Sequence, residues 1–174
     1  MTDAFGRDPE STSVAGGDIE RVLREEGLFV STTVGISMWP MLRNRRDTIV
    51  IRPLPGGERL SVGDVPLYRA DIAGHRRYVL HRVVGVHDGW YAIRGDNCIT
   101  TEHVRDAQVL GRLDEFYRGS RHVTCGSSRV YRLYWRTWLA LWPARWCWKH
   151  ARALVGRFLR RFGWKGLHPG RGPF

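Results

Sequence analysis

The stretch between residues 28 and 113 alternates short runs of β-branched and aromatic residues with turns rich in glycine, proline and aspartate. The runs fall at 28–34, 48–53, 67–69, 78–86, 91–94 and 107–113. Segments this short, separated by frequent turns, are typical of antiparallel sheets, and the pair Asp88 and Gly89 predicts a tight hairpin. The sequence therefore predicts a mainly β fold built from antiparallel coiled sheets.

A short helix is predicted before the first strand. Ile19, Val22 and Leu23 recur at helical spacing. Asp18 before them is of a type that caps helices, and Gly27 after them is of a type that ends helices. We expect this helix to pack against the sheet.

Charge divides the chain into parts of different character. The chain carries 28 Lys and Arg against 17 Asp and Glu, a net charge of +11, and no acidic residue follows Glu115. Thirteen basic residues and six of the eight tryptophans lie beyond that point. We therefore expect a nearly neutral domain over 18–118 and a basic, Trp-rich helical tail over 119–174. Residues 1–17 lack an apolar run, which predicts a disordered lead-in rather than a secretory signal.

Two amphipathic helices are predicted in the tail. The apolar residues at helical spacing are Val130, Leu133, Tyr134, Trp138, Leu141 and Trp142 before Pro143, and Cys147, Ala151, Leu154, Val155, Phe158 and Phe162 after it. Uncharged runs here fall far short of the roughly 20 residues that a membrane span needs, so no transmembrane helix is predicted. Arginine and tryptophan on amphipathic helices suit the headgroup layer of an anionic membrane. This pattern predicts peripheral membrane association, compatible with the cytoplasmic face.

Two other interpretations of the tail stay open. The helices could pack on the β domain and leave a solvated basic face. Alternatively, the basic charge could bind nucleic acid, which is disfavoured because the sequence contains no recognised nucleic-acid-binding module.

Ser37 is the candidate nucleophile of the β domain. It follows Gly35, which allows close approach of the backbone, and precedes Met38 and Pro40, the second of which stiffens the chain. A serine hydroxyl becomes a good nucleophile when a neighbouring base removes its proton. The alternative interpretation is a turn serine before a Met-x-Pro bend.

The base is predicted to be a histidine. The chain has two lysines, Lys149 and Lys165, and both lie far downstream in the tail. His81 falls within a strand-like run, and alternation along that run would place Val79, His81 and Val83 on one face. Partial desolvation between two valines suits a neutral base. A core histidine satisfied by a backbone carbonyl is the alternative.

Three blocks along the chain carry the functional signal. They are G-I-S-M-W-P-M-L around Ser37, Y-V-L-H-R-V-V-G-V around His81, and I-R-G-D-N, which ends at Asn97. In this order they resemble the type I signal peptidase-like serine peptidases, in the form that uses histidine as base. The resemblance covers residues 18–115 and implies the antiparallel coiled-sheet fold of that family.

The resemblance also implies an acid that orients the histidine, a few positions after the G-D-N block. Glu102 stands there in place of the usual aspartate, and Asp96 within the block is the second candidate. Asp96 follows Gly95 in a turn, where aspartate commonly bonds its own backbone. Both acids stay open for the third catalytic role.

Backbone groups near the nucleophile are predicted to stabilise the oxyanion, and the Ser37 N–H is the natural donor. The resemblance implies a hydroxyl two residues before the nucleophile, but Gly35 stands there, so a second donor must come from the backbone or be missing. Gly35, Met38, Pro40 and Gly95 are predicted to support the backbone of the site. The run 35–38 is also similar to the self-cleaving SOS-repressor peptidases, whose lysine base this chain cannot supply.

We therefore expect a serine endopeptidase that cleaves precursor or leader peptides by attack of Ser37, with His81 as general base. No cofactor or metal is expected, because Cys98, Cys125 and Cys147 form no short pairing and no H-E-x-x-H or C-x-x-C motif occurs. Two alternatives stay open. One is a catalytically weak relative that binds membranes or nucleic acid through the tail, and the other is an intracellular peptidase that processes a dedicated small precursor.

Overall fold

The computed structural model describes residues 16–72, 74–148 and 151–152, and over these residues the chain is mainly β. In chain order the elements are α1 (Gly16–Glu26), β1 (Phe29–Thr32), β2 (Thr48–Arg52), β3 (Pro66–Ile72), β4 (His75–Leu80), β5 (Arg82–His87), β6 (Trp90–Arg94), β7 (Glu102–Arg105), β8 (Val109–Arg118), β9 (Arg121–Thr124) and α2 (Arg129–Ala140). A 3₁₀ turn, Asp106–Gln108, precedes β8, and residues 142–148 form a further helical segment.

The larger sheet has six strands in the spatial order β1-β2-β8-β3-β4, with β9 paired to β8. All of these pairings are antiparallel. Register shifts occur where β8 meets β2, between Val50 and Ile51, and where β8 meets β3, between Leu67 and Tyr68. Bulges of this kind increase the bend and twist of a strand. The predicted mainly β fold of antiparallel coiled sheets is therefore confirmed.

The smaller sheet has three antiparallel strands in the order β5-β6-β7. Its first hairpin turns at Asp88 and Gly89, as predicted, and Gly89 has a φ of 73°, a left-handed conformation that favours glycine. The two sheets share a core in which Tyr68 of β3 packs with Val83 and Ile93 of the smaller sheet. This shared core brings side chains of β3 close to the smaller sheet.

The strand predicted around His81 is interrupted at that residue. β4 ends at Leu80 in the larger sheet, and β5 begins at Arg82 in the smaller sheet. The expectation of one continuous strand, with Val79, His81 and Val83 on one face, is therefore wrong. The physical reason is that the chain changes sheets here, which places His81 at the junction between them.

The chain divides into two compact units, Met1–Leu133 and Tyr134–Phe174. The first unit includes β9, whose pairing with β8 continues the larger sheet beyond Arg118. The domain boundary expected at 118 therefore falls inside the β8–β9 hairpin.

Both ends of the chain lie partly outside the described residues. The expected disordered lead-in falls there except for Gly16 and Gly17, which belong to α1. Most of the second predicted tail helix, beyond Trp148, falls there as well. Within the described ranges, no helix is long and apolar enough to cross a membrane.

The two labelled helices meet their predicted patterns to different degrees. In α1, Ile19 and Leu23 are buried, as expected for a helix packed on the sheet. In α2, Tyr131 is buried, whereas Val130 and Leu133 of the predicted apolar stripe are 79% and 69% exposed. At the start of this helix the predicted stripe is therefore exposed rather than packed on the β domain. The reason is that the hydroxyl and ring of Tyr131 contact a buried arginine, described below, and this turns its neighbours outward.

Candidate active site

Ser37 lies in the connection between β1 and β2, residues 33–47, which we call the nucleophile loop. Thr33 closes the base of this loop. Its N–H donates to the Asp47 carbonyl over 3.0 Å, and its hydroxyl donates to the Arg43 carbonyl over 2.8 Å. These bonds fix the two ends of the loop against each other.

Gly35 shapes the approach to the nucleophile. It has a φ of 99°, and its N–H donates to Asn44 Oδ1 over 2.8 Å. A left-handed φ favours glycine, which explains why no hydroxyl-bearing residue stands two positions before Ser37. On the other side of Ser37, the Met38 side chain is buried and Pro40 is half-buried. Ser37 itself is half-buried.

A buried carboxylate holds the far end of the nucleophile loop. Asp47 has no exposed surface, and it accepts hydrogen bonds from the Arg43 N–H over 2.8 Å and from Arg118 Nε over 3.3 Å. The Nη2 of Arg118 also donates to the carbonyl oxygens of Pro40, over 2.7 Å, and Met41. Because buried charges require partners, this cluster holds the loop from inside the protein.

The turn after β6 holds the nucleophile loop from the opposite side. The Asn97 N–H donates to the Ser37 carbonyl over 2.8 Å, and Asn97 Nδ2 donates to the Ile36 carbonyl over 3.3 Å. The backbone of the candidate nucleophile is therefore anchored directly to the G-D-N block.

Gly95 lies between the nucleophile and the base. A Cβ atom at this residue would lie 2.8 Å from the Ser37 carbonyl oxygen, 2.8 Å from the Cys98 sulfur and 3.0 Å from His81 Nε2. Such contacts are too short for carbon, so a residue with a side chain does not fit without movement of the main chain. The Ser37 backbone and His81 Nε2 therefore lie within 3.0 Å of the same point.

His81 is buried, and its other ring nitrogen contacts an acid. The Nδ1 of His81 lies 2.9 Å from Glu102 Oε1 at the start of β7. The hydroxyl of Tyr68, from β3, donates to Glu102 Oε2 over 2.7 Å and lies 3.2 Å from His81 Nδ1. When Nδ1 carries the proton and donates it to Glu102, the lone pair remains on Nε2, on the side that faces Gly95.

The electrostatics of this group favour a charged Glu102. The hydrogen bond with His81 is the largest influence and lowers the pKa of Glu102, desolvation opposes it, and the bond from Tyr68 lowers it further. Burial, together with the bond to Glu102, raises the pKa of Tyr68 far above its ordinary value. Tyr68 is therefore a neutral donor and Glu102 a carboxylate.

Asp96, the second candidate acid, is engaged elsewhere. Its two oxygens accept from Nε and Nη2 of Arg82, both over 2.8 Å, and both side chains are almost completely buried. Burial disfavours a charged guanidinium, but the hydrogen bonds and charge of Asp96 raise the pKa of Arg82 above its ordinary value. Glu102 is thus hydrogen-bonded to His81, whereas Asp96 forms a buried ion pair with the residue that follows His81.

Arg82 connects the three sequence blocks, and the sequence analysis missed it. Its Nη1 donates to the Gly63 carbonyl over 2.9 Å and to the Tyr131 hydroxyl over 3.0 Å. Its Nη2 lies 2.8 Å from the sulfur of Met41 in the nucleophile loop. One signal was available, because an arginine among valines next to a candidate base needs a buried acid, and Asp96 stands in the turn after β6, the strand that pairs with β5.

These are the groups that acyl transfer by a serine nucleophile requires. One ring nitrogen of His81 and the Ser37 carbonyl lie close to Gly95, an acid is bonded to the opposite ring nitrogen, and both sides of the nucleophile loop are fixed by hydrogen bonds. Within the described ranges, no cluster of three or more His, Cys, Asp or Glu side chains could hold a metal ion. Cys98, the thiol beside Gly95, forms no disulfide within the described residues.

The chain matches no model of a known protein family and no curated protein sequence.

Proposed function

We propose that the protein is a serine endopeptidase of the type I signal peptidase-like class, with Ser37 as nucleophile, His81 as general base and Glu102 as the acid that orients His81. The observation that carries this proposal is the position of the His81 ring. Its Nδ1 is bonded to Glu102, and its Nε2 lies at Gly95, beside the anchored backbone of Ser37. A histidine satisfied by a backbone carbonyl, the alternative role, does not require this acid.

The proposed reaction is peptide hydrolysis in two steps. Ser37 Oγ attacks the scissile carbonyl while His81 Nε2 takes the hydroxyl proton, and the imidazolium then protonates the leaving amine. A water molecule, activated by the same nitrogen, hydrolyses the acyl-enzyme. The Ser37 N–H is the proposed oxyanion donor. Gly35 contributes no side-chain hydroxyl, so the site relies on backbone donors at this point.

The surface beside Ser37 supports an apolar or membrane-bound substrate. Val34, Ile36 and Trp39 of the nucleophile loop are 79%, 65% and 53% exposed. Arg45 and Arg46 of the same loop are exposed as well. Apolar side chains next to arginines suit the interface of an anionic membrane, where leader segments of precursors lie.

The start of α2 supports the same partner. Val130 and Leu133 are largely exposed, and Arg129, Arg132 and Arg136 are exposed on the same helix. We therefore propose that the protein works as a peripheral enzyme on anionic membranes and cleaves a precursor or leader peptide there.

Covalent labelling tests the proposal. A fluorophosphonate probe should label the full-length protein on Ser37, and Ser37→Ala should abolish labelling. The matched control is Ser61→Ala, because Ser61 is an exposed loop serine outside the site. Mass spectrometry of a candidate precursor incubated with each variant then identifies the cleaved bond. Equal labelling of the wild type and Ser37→Ala would refute the proposed nucleophile.

A second candidate function is favoured by the exposed arginines of α2. A catalytically weak relative would bind anionic membranes or nucleic acid through this surface without cleaving peptides. Its binding would fall steeply with added salt, and no fluorophosphonate labelling would accompany it. Labelling and binding measured on the same sample separate the two functions.

A further inference from the structure

Tyr68 differs from Tyr91, a buried tyrosine of the same core, in the hydrogen-bond partner of its hydroxyl. It is 1% exposed and belongs to β3 of the larger sheet, whereas its partner Glu102 belongs to β7 of the smaller sheet. Tyr91 lies in the same core, and its hydroxyl accepts from the backbone N–H of Leu60 over 3.2 Å. A buried phenol needs a partner, and Tyr91 finds it in the backbone while Tyr68 finds it in the candidate acid.

The length of Glu102 makes this contact important. Glutamate has one more rotatable bond than aspartate, and the side chain of Glu102 is 37% exposed, so solvent competes for its carboxylate. One oxygen contacts His81 Nδ1 over 2.9 Å, and the other accepts from Tyr68 over 2.7 Å. The phenol is held in place by burial, so it restricts the carboxylate to the rotamer that meets His81.

The single phenolic proton adds a second constraint. Tyr68 donates that proton to Glu102, so towards His81 Nδ1, at 3.2 Å, the phenol oxygen presents a lone pair. Two acceptors, the Glu102 carboxylate and the Tyr68 oxygen, then face Nδ1. A ring nitrogen that faces two acceptors carries the proton, which leaves the basic lone pair on Nε2.

We propose that Tyr68 is a positioning residue of this site. Its hydroxyl fixes the rotamer of Glu102 and keeps His81 in the tautomer whose Nε2 carries the lone pair and can act as base. The catalytic meaning of this tautomer rests on the proposed function, but the tautomer itself is a property of the resting protein.

The test is Tyr68→Phe in the full-length protein, with ¹⁵N-labelled histidine and the His81 signals assigned by their loss in His81→Gln. Above about pH 8, where an ordinary imidazole is neutral, the ¹⁵N shifts report which ring nitrogen carries the proton. We expect Nδ1 to be protonated in the wild type and the share of Nε2-protonated ring to rise several-fold in Tyr68→Phe. Phenylalanine keeps the packing of the core, so the variant should fold.

The matched control is Tyr78→Phe. The Tyr78 hydroxyl donates to Glu20 over 3.0 Å, so this change removes the same kind of bond away from the site. It should leave the His81 spectrum unchanged. An unchanged tautomer in Tyr68→Phe, or an equal change in both variants, would overturn the proposal.

Kinetics give a second test. Tyr68→Phe should lower kcat about tenfold at unchanged KM, less than the ~10⁴-fold loss that a wrong tautomer causes in a Ser-His-Asp triad. In a Glu102→Ala background the same change should have no further effect, because Tyr68 acts through Glu102. Independent, multiplying losses would refute the positioning role. If Ser37 proved unreactive, the proposed function would fall, but the tautomer measurement would still decide the role of Tyr68.

Discussion

His81 and Arg82 are neighbours in sequence, and each faces a carboxylate, but their surroundings differ. Glu102, the partner of His81, keeps 37% of its side chain exposed, whereas Asp96, the partner of Arg82, keeps 1%. A buried ion pair is costly to break and therefore suits a structural role. In the other pair the carboxylate of Glu102 is partly exposed while His81 is buried, so breaking this pair costs less. One dipeptide thus supplies both the proposed chemistry and the rigid support behind it.

The largest effect is expected when the base is removed. His81→Ala should lower the rate of Ser37 labelling or peptide cleavage on the order of 10⁶-fold, because nucleophile and base act as one unit. The control is His87→Ala, which removes an exposed histidine of the smaller sheet. Retention of most activity in His81→Ala would show that another group takes the serine proton.

The second-largest effect is expected when Glu102, the partly exposed acid, is removed. Glu102→Ala should lower kcat about 10⁴-fold, as loss of the orienting acid does in a Ser-His-Asp triad. Because the change also leaves the buried Tyr68 hydroxyl without its carboxylate acceptor, the free energy of unfolding should fall by about 1–3 kcal/mol. Urea denaturation and steady-state kinetics on one preparation measure both. Glu58→Ala, which breaks a surface pair with Arg112, is the control and should leave kcat unchanged.

In contrast to Glu102→Ala, Asp96→Ala should chiefly lower the free energy of unfolding. Removing this carboxylate leaves Arg82 charged, buried and unpaired with its main partner, which should cost about 3–5 kcal/mol of unfolding free energy. The double variant Arg82→Met with Asp96→Leu should recover part of that loss, because it removes both charges. If Asp96→Ala lost activity but kept the stability of the wild type, the structural role of the Arg82–Asp96 pair would be refuted.

The smallest effect is a pH dependence of stability. The pKa of Glu102 is lowered in the folded protein, chiefly by its hydrogen bond with His81. The stability that it contributes should be fully present above the ordinary glutamate pKa of about 4.3, and it should disappear as the pH falls through the lowered value. Urea titrations should therefore show a smaller difference in unfolding free energy between wild type and Glu102→Gln at about pH 3 than at about pH 6. A constant difference would mean that the bond does not depend on the charge of Glu102.

Local patterns were enough to predict much of the fold. The β-branched runs became strands, Asp88 and Gly89 made the predicted hairpin, and the helical spacing of Ile19 and Leu23 matched a packed α1. These features depend on residues a few positions apart, where turn chemistry and periodicity decide the structure. The block around Ser37 also came together with the G-D-N block, because the Asn97 N–H donates to the Ser37 carbonyl.

The remaining features depend on residues far apart in sequence. The break at His81 follows from strands pairing in different sheets, which no local pattern reveals. Arg82 is charged and would be expected at the surface, but Asp96 and Tyr131, 14 and 49 positions away, make its burial favourable. The choice between Glu102 and Asp96 was left open for the same reason. Tyr68 was predicted as a strand residue, and its contact with Glu102 spans 34 positions.

Gly95 makes the site sensitive to the addition of a single carbon atom. The main chain at Gly95 lies so close to the Ser37 carbonyl and the His81 ring that a side chain on this residue does not fit. One added carbon in Gly95→Ala must push the Ser37 carbonyl or the His81 ring aside, although no reactive group is removed. Under the proposed function, Gly95→Ala is therefore expected to lose activity while it keeps Ser37, His81 and Glu102, and such a variant would serve to trap an uncleaved precursor.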